Sequence, residues 1–166
     1  MSVEDLHRPS GAVPCAVLTI SDSRSPDTDT SGRAIRELLT RDGHTLVDHG
    51  LVADEPADIA AIVADWTARP DIRTVITTGG TGIARRDSSV DAIRALFRAE
   101  LPGFGELFRR LSFDEIGAAA MLSRSTAGIV ERAVVFVLPG SEHAVRLAMT
   151  RLILPQLGHL ARELAK

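Results

Sequence analysis

Two short runs of apolar residues constrain the fold of this chain most. Val13 to Ile20 is almost continuously apolar, and so is Val134 to Leu138. A strand that reads apolar on both alternating faces must be covered on both sides, which is the condition of a parallel sheet between helical layers. Between these runs the periodicity switches. Ile59, Ile62, Val63 and Trp66 fall at i, i+3, i+4 and i+7, with Pro56 where a first helical turn begins. Ala34, Ile35, Leu38 and Leu39 form a second helical face that Ser31 or a neighbour can cap and Gly43 can close. Thr45 to Val52 and Arg73 to Ile76 read as further strands. Ser88 with Asp91, and Ser112 with Glu115, have capping-box spacing ahead of helices through Val90, Ile93 and Phe97, and through Phe113, Ile116 and Ala120. Ser141 caps a last helical stretch containing Val145, Met149 and Ile153, which Pro155 kinks or ends. Such alternation predicts a doubly wound α/β domain with a mostly parallel central sheet.

The chain has 166 residues, enough for one domain with a real core. Residues 1–12 are polar and read as a flexible tail, and 13–166 as a single domain. Hydrophobic residues make up 45% and charged residues 25%, a globular composition. The formal net charge of −3 argues against a non-specific nucleic-acid binder. No leader pattern opens the sequence, and no apolar run approaches the roughly 20 residues that span a bilayer, so a cytoplasmic location with no membrane association is expected. The lone cysteine, Cys15, lies inside the first apolar run and reads as core.

Chemistry is expected at the carboxyl ends of the strands, where open α/β sheets bind ligands. Thr77-Thr78-Gly79-Gly80-Thr81-Gly82 follows the third strand directly. Its glycines let the backbone turn tightly and let successive N–H groups face an anion. Ser21-Asp22, Ala53-Asp54-Glu55 and Pro139-Gly140-Ser141 leave other strands, and the stretch from Ser21 to Ser31 is long for such a connection. Asp54 and Asp87 supply hard oxygen atoms of the kind that hold Mg²⁺ together with substrate phosphates. Each also stands where a helix cap is needed, and spacing alone favours the cap. Ser21 and Asp22 are equally compatible with an ordinary turn. Arg85 and Arg86 read either as anion contacts or as solvated cations. A dinucleotide fingerprint, a P-loop lysine motif and a nucleophile elbow are all absent, and the histidines show no metal-ligand spacing.

Several segments together resemble the MoaB/Mog family of molybdenum-cofactor biosynthesis proteins. They are Thr19-Ile20-Ser21-Asp22, Asp29-Thr30-Ser31-Gly32, Thr77 to Gly82, Arg85-Arg86-Asp87, Leu101-Pro102-Gly103-Phe104-Gly105-Glu106, Leu111-Ser112-Phe113, Leu122-Ser123-Arg124, Ala127-Gly128 and Leu138-Pro139-Gly140-Ser141. The resemblance spans nearly all of the chain after the tail. It implies a three-layer, Rossmann-like molybdopterin-binding domain, commonly a homotrimer, working beside other cofactor-biosynthesis proteins. Active members transfer AMP from Mg-ATP to the terminal phosphate of molybdopterin. Their two functional aspartates correspond to Asp54 and Asp87, which are thereby expected to be catalytic and to hold Mg²⁺. Thr78, Gly79, Gly80, Thr81 and Gly82 would cradle nucleotide phosphate. Ser21, Asp22, Ser123, Pro139, Gly140 and Ser141 would wall the pterin or nucleotide. One departure is Ser89-Val90-Asp91-Ala92, which lacks the proline often found there. The C-terminal layout looks more like MoaB, whereas Arg85-Arg86-Asp87 looks more like Mog. A non-catalytic molybdopterin-binding or scaffolding paralogue is the alternative expectation.

Overall fold

The computed structural model describes residues 11–85 and 87–166. Most of the expected tail, and Arg86, therefore lie outside the described residues.

Four strands form the parallel part of the sheet: β1 (Pro14–Ile20), β2 (Thr45–Val52), β3 (Thr74–Thr78) and β6 (Ala133–Leu138). Two further strands, β4 (Ala99–Glu100) and β5 (Thr126–Val130), complete the order β2-β1-β3-β6-β5-β4. β5 runs antiparallel to β6, and β4 antiparallel to β5. The helices are α1 (Thr30–Arg41), α2 (Pro56–Ala68), α3 (Ser89–Arg94), α4 (Pro102–Ile116), α5 (Glu142–Ala148) and α6 (Leu154–Glu163).

The apolar runs are explained by two separate cores. Cys15 and Val17 of β1, with Val134, Phe136 and Leu138 of β6, face α1, α5 and α6 through Ile35, Leu39, Val145 and Leu157. Ala16, Leu18 and Ile20, with Val135 and Val137, face the other way onto Ile59, Val63 and Trp66 of α2 and Val90 and Ile93 of α3. Alternate residues of one strand thus enter opposite cores, giving three layers. Cys15 is fully buried, and burial pushes its thiol pKa up to about 12.

Of the caps open to α1, Ser31 or a neighbour, it is Asp29 that serves, accepting from the Gly32 N–H at 2.9 Å. Several helix boundaries differ from the sequence expectation. Ser112 starts no helix, because α4 runs unbroken from Pro102 to Ile116 and ends in a 3₁₀ turn, Gly117–Leu122. α3 stops at Arg94, and Phe97 lies against Gly128 of β5, where a Cβ would meet its ring. The Asp91 carboxylate pairs with Arg124 instead of closing a capping box. Near Pro155 the backbone passes through a π-helical stretch, Met149–Ile153, before α6 begins. That insertion absorbs the missing proline N–H without ending the helical path.

The registers Thr19↔Thr78 and Thr78↔Leu138 align the exits of β1, β3 and β6, and Ile20↔Val52 aligns β2 with them. All four loops singled out in the sequence leave from one edge. No helix among the described residues is long and apolar enough to cross a membrane.

Candidate functional site

The glycine loop is locked before it can bind anything. Thr78 Oγ1 donates to the Pro139 carbonyl at 2.7 Å, and the Gly79 N–H donates to the Leu138 carbonyl at 3.0 Å. The exits of β3 and β6 are therefore tied together. Gly79 has φ +112°, and a Cβ there would land on the Ile20 carbonyl oxygen. Gly80 has φ +64°, and its Cβ would meet Ser89 Oγ and, at 2.6 Å, Asp54 Oδ2. Both positions need glycine for conformation and for space. Beyond Gly79, the N–H groups of Gly80, Thr81 and Gly82 meet no backbone carbonyl among the described residues. Within the expected phosphate cradle the Gly79 N–H is thus structural and Thr78 belongs to the strand, which leaves the N–H groups of Gly80, Thr81 and Gly82 as those available to a ligand.

Neither aspartate caps a helix. The N-cap of α2 is Glu55 and that of α3 is Ser88, and neither makes a side-chain cap bond. Asp54 instead reaches across to the next strand exit, where its Oδ1 accepts from the Ser88 hydroxyl at 2.7 Å. Its own backbone N–H donates to Asp22 Oδ1 at 3.0 Å, joining the β1 and β2 exits. Asp87 Oδ2 accepts from the Ala84 N–H at 2.8 Å and lies 2.6 Å from the position a Gly82 Cβ would take. The two carboxylates flank the glycine loop, one beside Gly80 and the other beside Gly82. Ser89 Oγ lies against Gly80 as well; it is buried and has no hydrogen-bond partner among the described residues.

The opposite side of the cleft is built on α1. Thr19 Oγ1 donates to Asp29 Oδ2 at 2.8 Å, and Asp29 Oδ1 lies 3.7 Å from the Arg24 guanidinium. Arg24 donates from Nη1 to Ser31 Oγ and from Nη2 to the Gly140 carbonyl at 2.6 Å. Ser21 Oγ accepts from the Arg24 N–H at 3.2 Å, which shapes the turn that presents this arginine. Ser141 caps α5 through the Ala144 N–H at 3.3 Å, as its position in sequence indicates. The Ser123 segment is held from behind, since the Arg124 N–H donates to the Thr81 carbonyl and Arg109 donates to the carbonyls of Ser123 and Ser125.

These pieces enclose a cleft of about 680 Å³. Its wall includes Ser21, Asp22, Asp54, Gly79, Gly80, Thr81, Gly82, Asp87, Ser123, Pro139, Gly140 and Ser141. Of the expected site residues, Thr78 alone stands behind the wall, fully buried. Phe108, Ile116 and Leu122 add an apolar side suited to a flat ring, with Ser112 beside them. Sequence reasoning did not single out this apolar side, nor Arg24. The signal for Arg24 was available: it is the only cation in the polar stretch from Ser21 to Ser31.

A volume near 680 Å³ suits a cofactor-sized ligand. Two carboxylates and a buried hydroxyl around N–H groups that meet no backbone carbonyl among the described residues suit phosphates accompanied by a hard cation. No group of three or more His, Cys, Asp or Glu side chains that could hold a metal ion occurs among the described residues. Asp54 and Asp87 are the two residues on this wall that would hold a hard cation such as Mg²⁺.

Residues 16–159 match the family model described as "Probable molybdopterin binding domain". The chain belongs to this family of molybdenum-cofactor biosynthesis proteins. Among MoaB/Mog relatives, it is 49% identical to molybdenum cofactor biosynthesis protein B of Halalkalibacterium halodurans, covering 100% of this chain and 99% of that one. It is 45% identical to the protein of the same name in Bacillus subtilis, over 93% and 91%. A crystal structure of molybdenum cofactor biosynthesis protein B superposes with TM-score 0.92 at 46% identity, covering 95% of this chain and 99% of that one. The Mog protein of Mycobacterium ulcerans superposes with TM-score 0.83 at 26% identity, covering 93% and 99%. The sheet is therefore the Rossmann-like sheet of the MoaB/Mog family, and sequence identity is higher on the MoaB side.

Proposed function

We propose that this protein binds molybdopterin in the cleft and transfers AMP from Mg-ATP to its terminal phosphate. The observation that carries the reading is the placement of Asp54 and Asp87 on either side of the glycine loop, facing one cavity. In the reaction an oxygen of the pterin phosphate attacks the α-phosphorus of ATP. One P–O bond forms, the bond to the bridging oxygen breaks, and pyrophosphate leaves. Every reacting group is anionic, so catalysis needs alignment and neutralisation more than covalent chemistry. The N–H groups of Gly80, Thr81 and Gly82 would hold nucleotide phosphate. The carboxylates of Asp54 and Asp87 would receive the Mg²⁺ that accompanies it. The apolar side around Phe108 and Leu122 would stack a ring, with Ser123 and Ser141 at its edge.

The same reading makes the protein a cytoplasmic homotrimer acting beside other cofactor-biosynthesis proteins. Leu107, Phe113 and Met121, exposed on α4 and the turn after it, support the assembly by offering apolar surface. Light scattering on gel-filtered protein reports the mass directly, and a monomer would remove that part.

A second reading, a molybdopterin-binding protein without turnover, is favoured by one observation. Both carboxylates already accept protein hydrogen bonds, Asp54 from Ser88 and Asp87 from Ala84. Incubation with Mg-ATP and molybdopterin decides between them. Release of pyrophosphate with formation of adenylated pterin supports transfer; tight pterin binding by folded protein with neither product supports the binder.

A further inference from the structure

The cleft is electrically divided. Asp22, Asp54 and Asp87 stand on its wall, and Arg24 is the one cation lining it among the described residues. Gly140 and Gly79 pack closely between the two loops, the position a Gly140 Cβ would take lying 3.5 Å from the Gly79 Cα. Asp54 and Asp87 sit on the side of Gly80 and Gly82, whereas Arg24 grips the Gly140 carbonyl and the start of α1. A phosphate that arrives with its own divalent cation is compatible with the acidic side. A phosphate that arrives without one is repelled there and requires fixed positive charge.

A guanidinium has five N–H donors in a planar fork. Arg24 directs one Nη1 bond to Ser31 and one Nη2 bond to Gly140, while Asp29 stands 3.7 Å away. These contacts fix the plane of the group and leave further donors on a side chain that is 26% exposed and lines the cavity. Held in this way, the group loses little further freedom on meeting an oxyanion.

We propose that Arg24 is the residue that recognises the metal-free phosphomonoester of the ligand, which fixes the pterin phosphate on the α1 side of the cleft and Mg-ATP on the acidic side. The proposal rests on the reading that a phosphorylated pterin occupies this cleft. It assigns Arg24 a substrate contact in addition to its tie between loops.

Two variants separate these roles. Arg24→Gln removes the charge. Arg24→Lys keeps the charge, but a single ammonium cannot reproduce the fork that joins Ser31 to Gly140. Inorganic phosphate and Mg-ATP are titrated separately by calorimetry against wild type and both variants, with circular dichroism and thermal melting to establish that each is folded. Loss of one charge-assisted contact weakens phosphate binding about 10-fold or more in Arg24→Gln. Arg24→Lys should stay within about 3-fold of wild type, and Mg-ATP affinity within about 2-fold for both variants. Equal loss of phosphate affinity in both folded variants would show a loop tie alone and overturn the proposal. So would no phosphate binding by wild type, no change in either variant, or parallel weakening of Mg-ATP. If wild type transfers no AMP while the titrations behave as expected, the adenylyl-transfer reading fails and the Arg24 assignment stands. Where transfer occurs, Arg24→Gln should raise KM for the pterin and leave KM for Mg-ATP unchanged.

Discussion

The Ser88 hydroxyl donates to Asp54 Oδ1 at 2.7 Å across 34 positions of chain, joining the β2 exit to the segment that follows the glycine loop. Asp54 is thus oriented by its neighbour. Ser88→Ala should cost about 1 kcal/mol, the net worth of one hydrogen bond, read as a lower urea midpoint at constant slope. Asp54→Asn retains an acceptor and the shape while removing the charge. It should melt within a few degrees of wild type and lose about 100-fold or more in AMP transfer, as removal of one electrostatic contributor does. Full turnover by Asp54→Asn would remove this carboxylate from the mechanism.

Asp87→Asn should also leave folding intact while abolishing transfer, since the amide oxygen can still accept from the Ala84 N–H. Circular dichroism and a pyrophosphate-release assay on one preparation test both halves. A variant that only lost stability would assign Asp87 to its turn.

Gly79→Ala should be among the most damaging single-methyl additions in the chain. It combines a left-handed backbone with a Cβ set onto the Ile20 carbonyl, a backbone atom that cannot swing aside. A loss of about 2 kcal/mol or more is expected from strain and overpacking together. Denaturant unfolding within about 0.5 kcal/mol of wild type, the usual scatter of neutral surface changes, would contradict this account of the turn.

Asp29 serves as the α1 cap and as acceptor for the buried Thr19 hydroxyl. Asp29→Ala removes both bonds and should cost about 2 kcal/mol, a strong cap plus an orphaned hydroxyl. Asp29→Asn keeps an acceptor for the Gly32 N–H and should recover part of that loss in the same unfolding experiment.

Cys15 gives a pH signature. Its folded thiol pKa is pushed by burial from 9.0 to about 12, so the folded state holds the proton more tightly than the unfolded chain. That contribution to stability is complete below the unfolded value of 9.0 and falls as pH rises from there through about 12. Cys15→Ala should flatten the alkaline limb of a stability-against-pH curve. In native wild type at pH 8, thiol reagents should label Cys15 only as fast as the protein opens.

β1 and β6 were legible because a doubly covered strand is written as an unbroken apolar run, whereas β2 is a half-exposed edge strand and is not such a run. β2 kept its expected bounds, Thr45–Val52, and β1 and β6 moved by a single residue at their starts. β5 was not legible. It is short, it contains Gly128, and its outer coverage comes from Phe97, a residue whose spacing had suggested helix. The Ser112–Glu115 pair shows how a capping signature can mislead: Ser112 is buried beside the cleft within a continuous helix. The loops carrying the candidate site could be placed from strand ends alone. The roles of their polar atoms could not, because Asp54 bonds to Ser88, 34 positions away, and Asp87 turns back on Ala84 where its spacing had suggested a cap for the following helix. Arg24 escaped notice for the same reason, since its partners Ser31 and Gly140 meet only in three dimensions.

The contact between Gly79 and the Ile20 carbonyl also bears on how this scaffold can diversify. At Gly79 the floor of the cleft is main chain laid against main chain, which leaves no room to exchange a side chain at that point. A relative that came to accept a different ligand would be expected to keep this floor and change its rim. Residue 24, the Ser123 segment and the apolar face of α4 are where such exchanges can be made without unmaking the sheet.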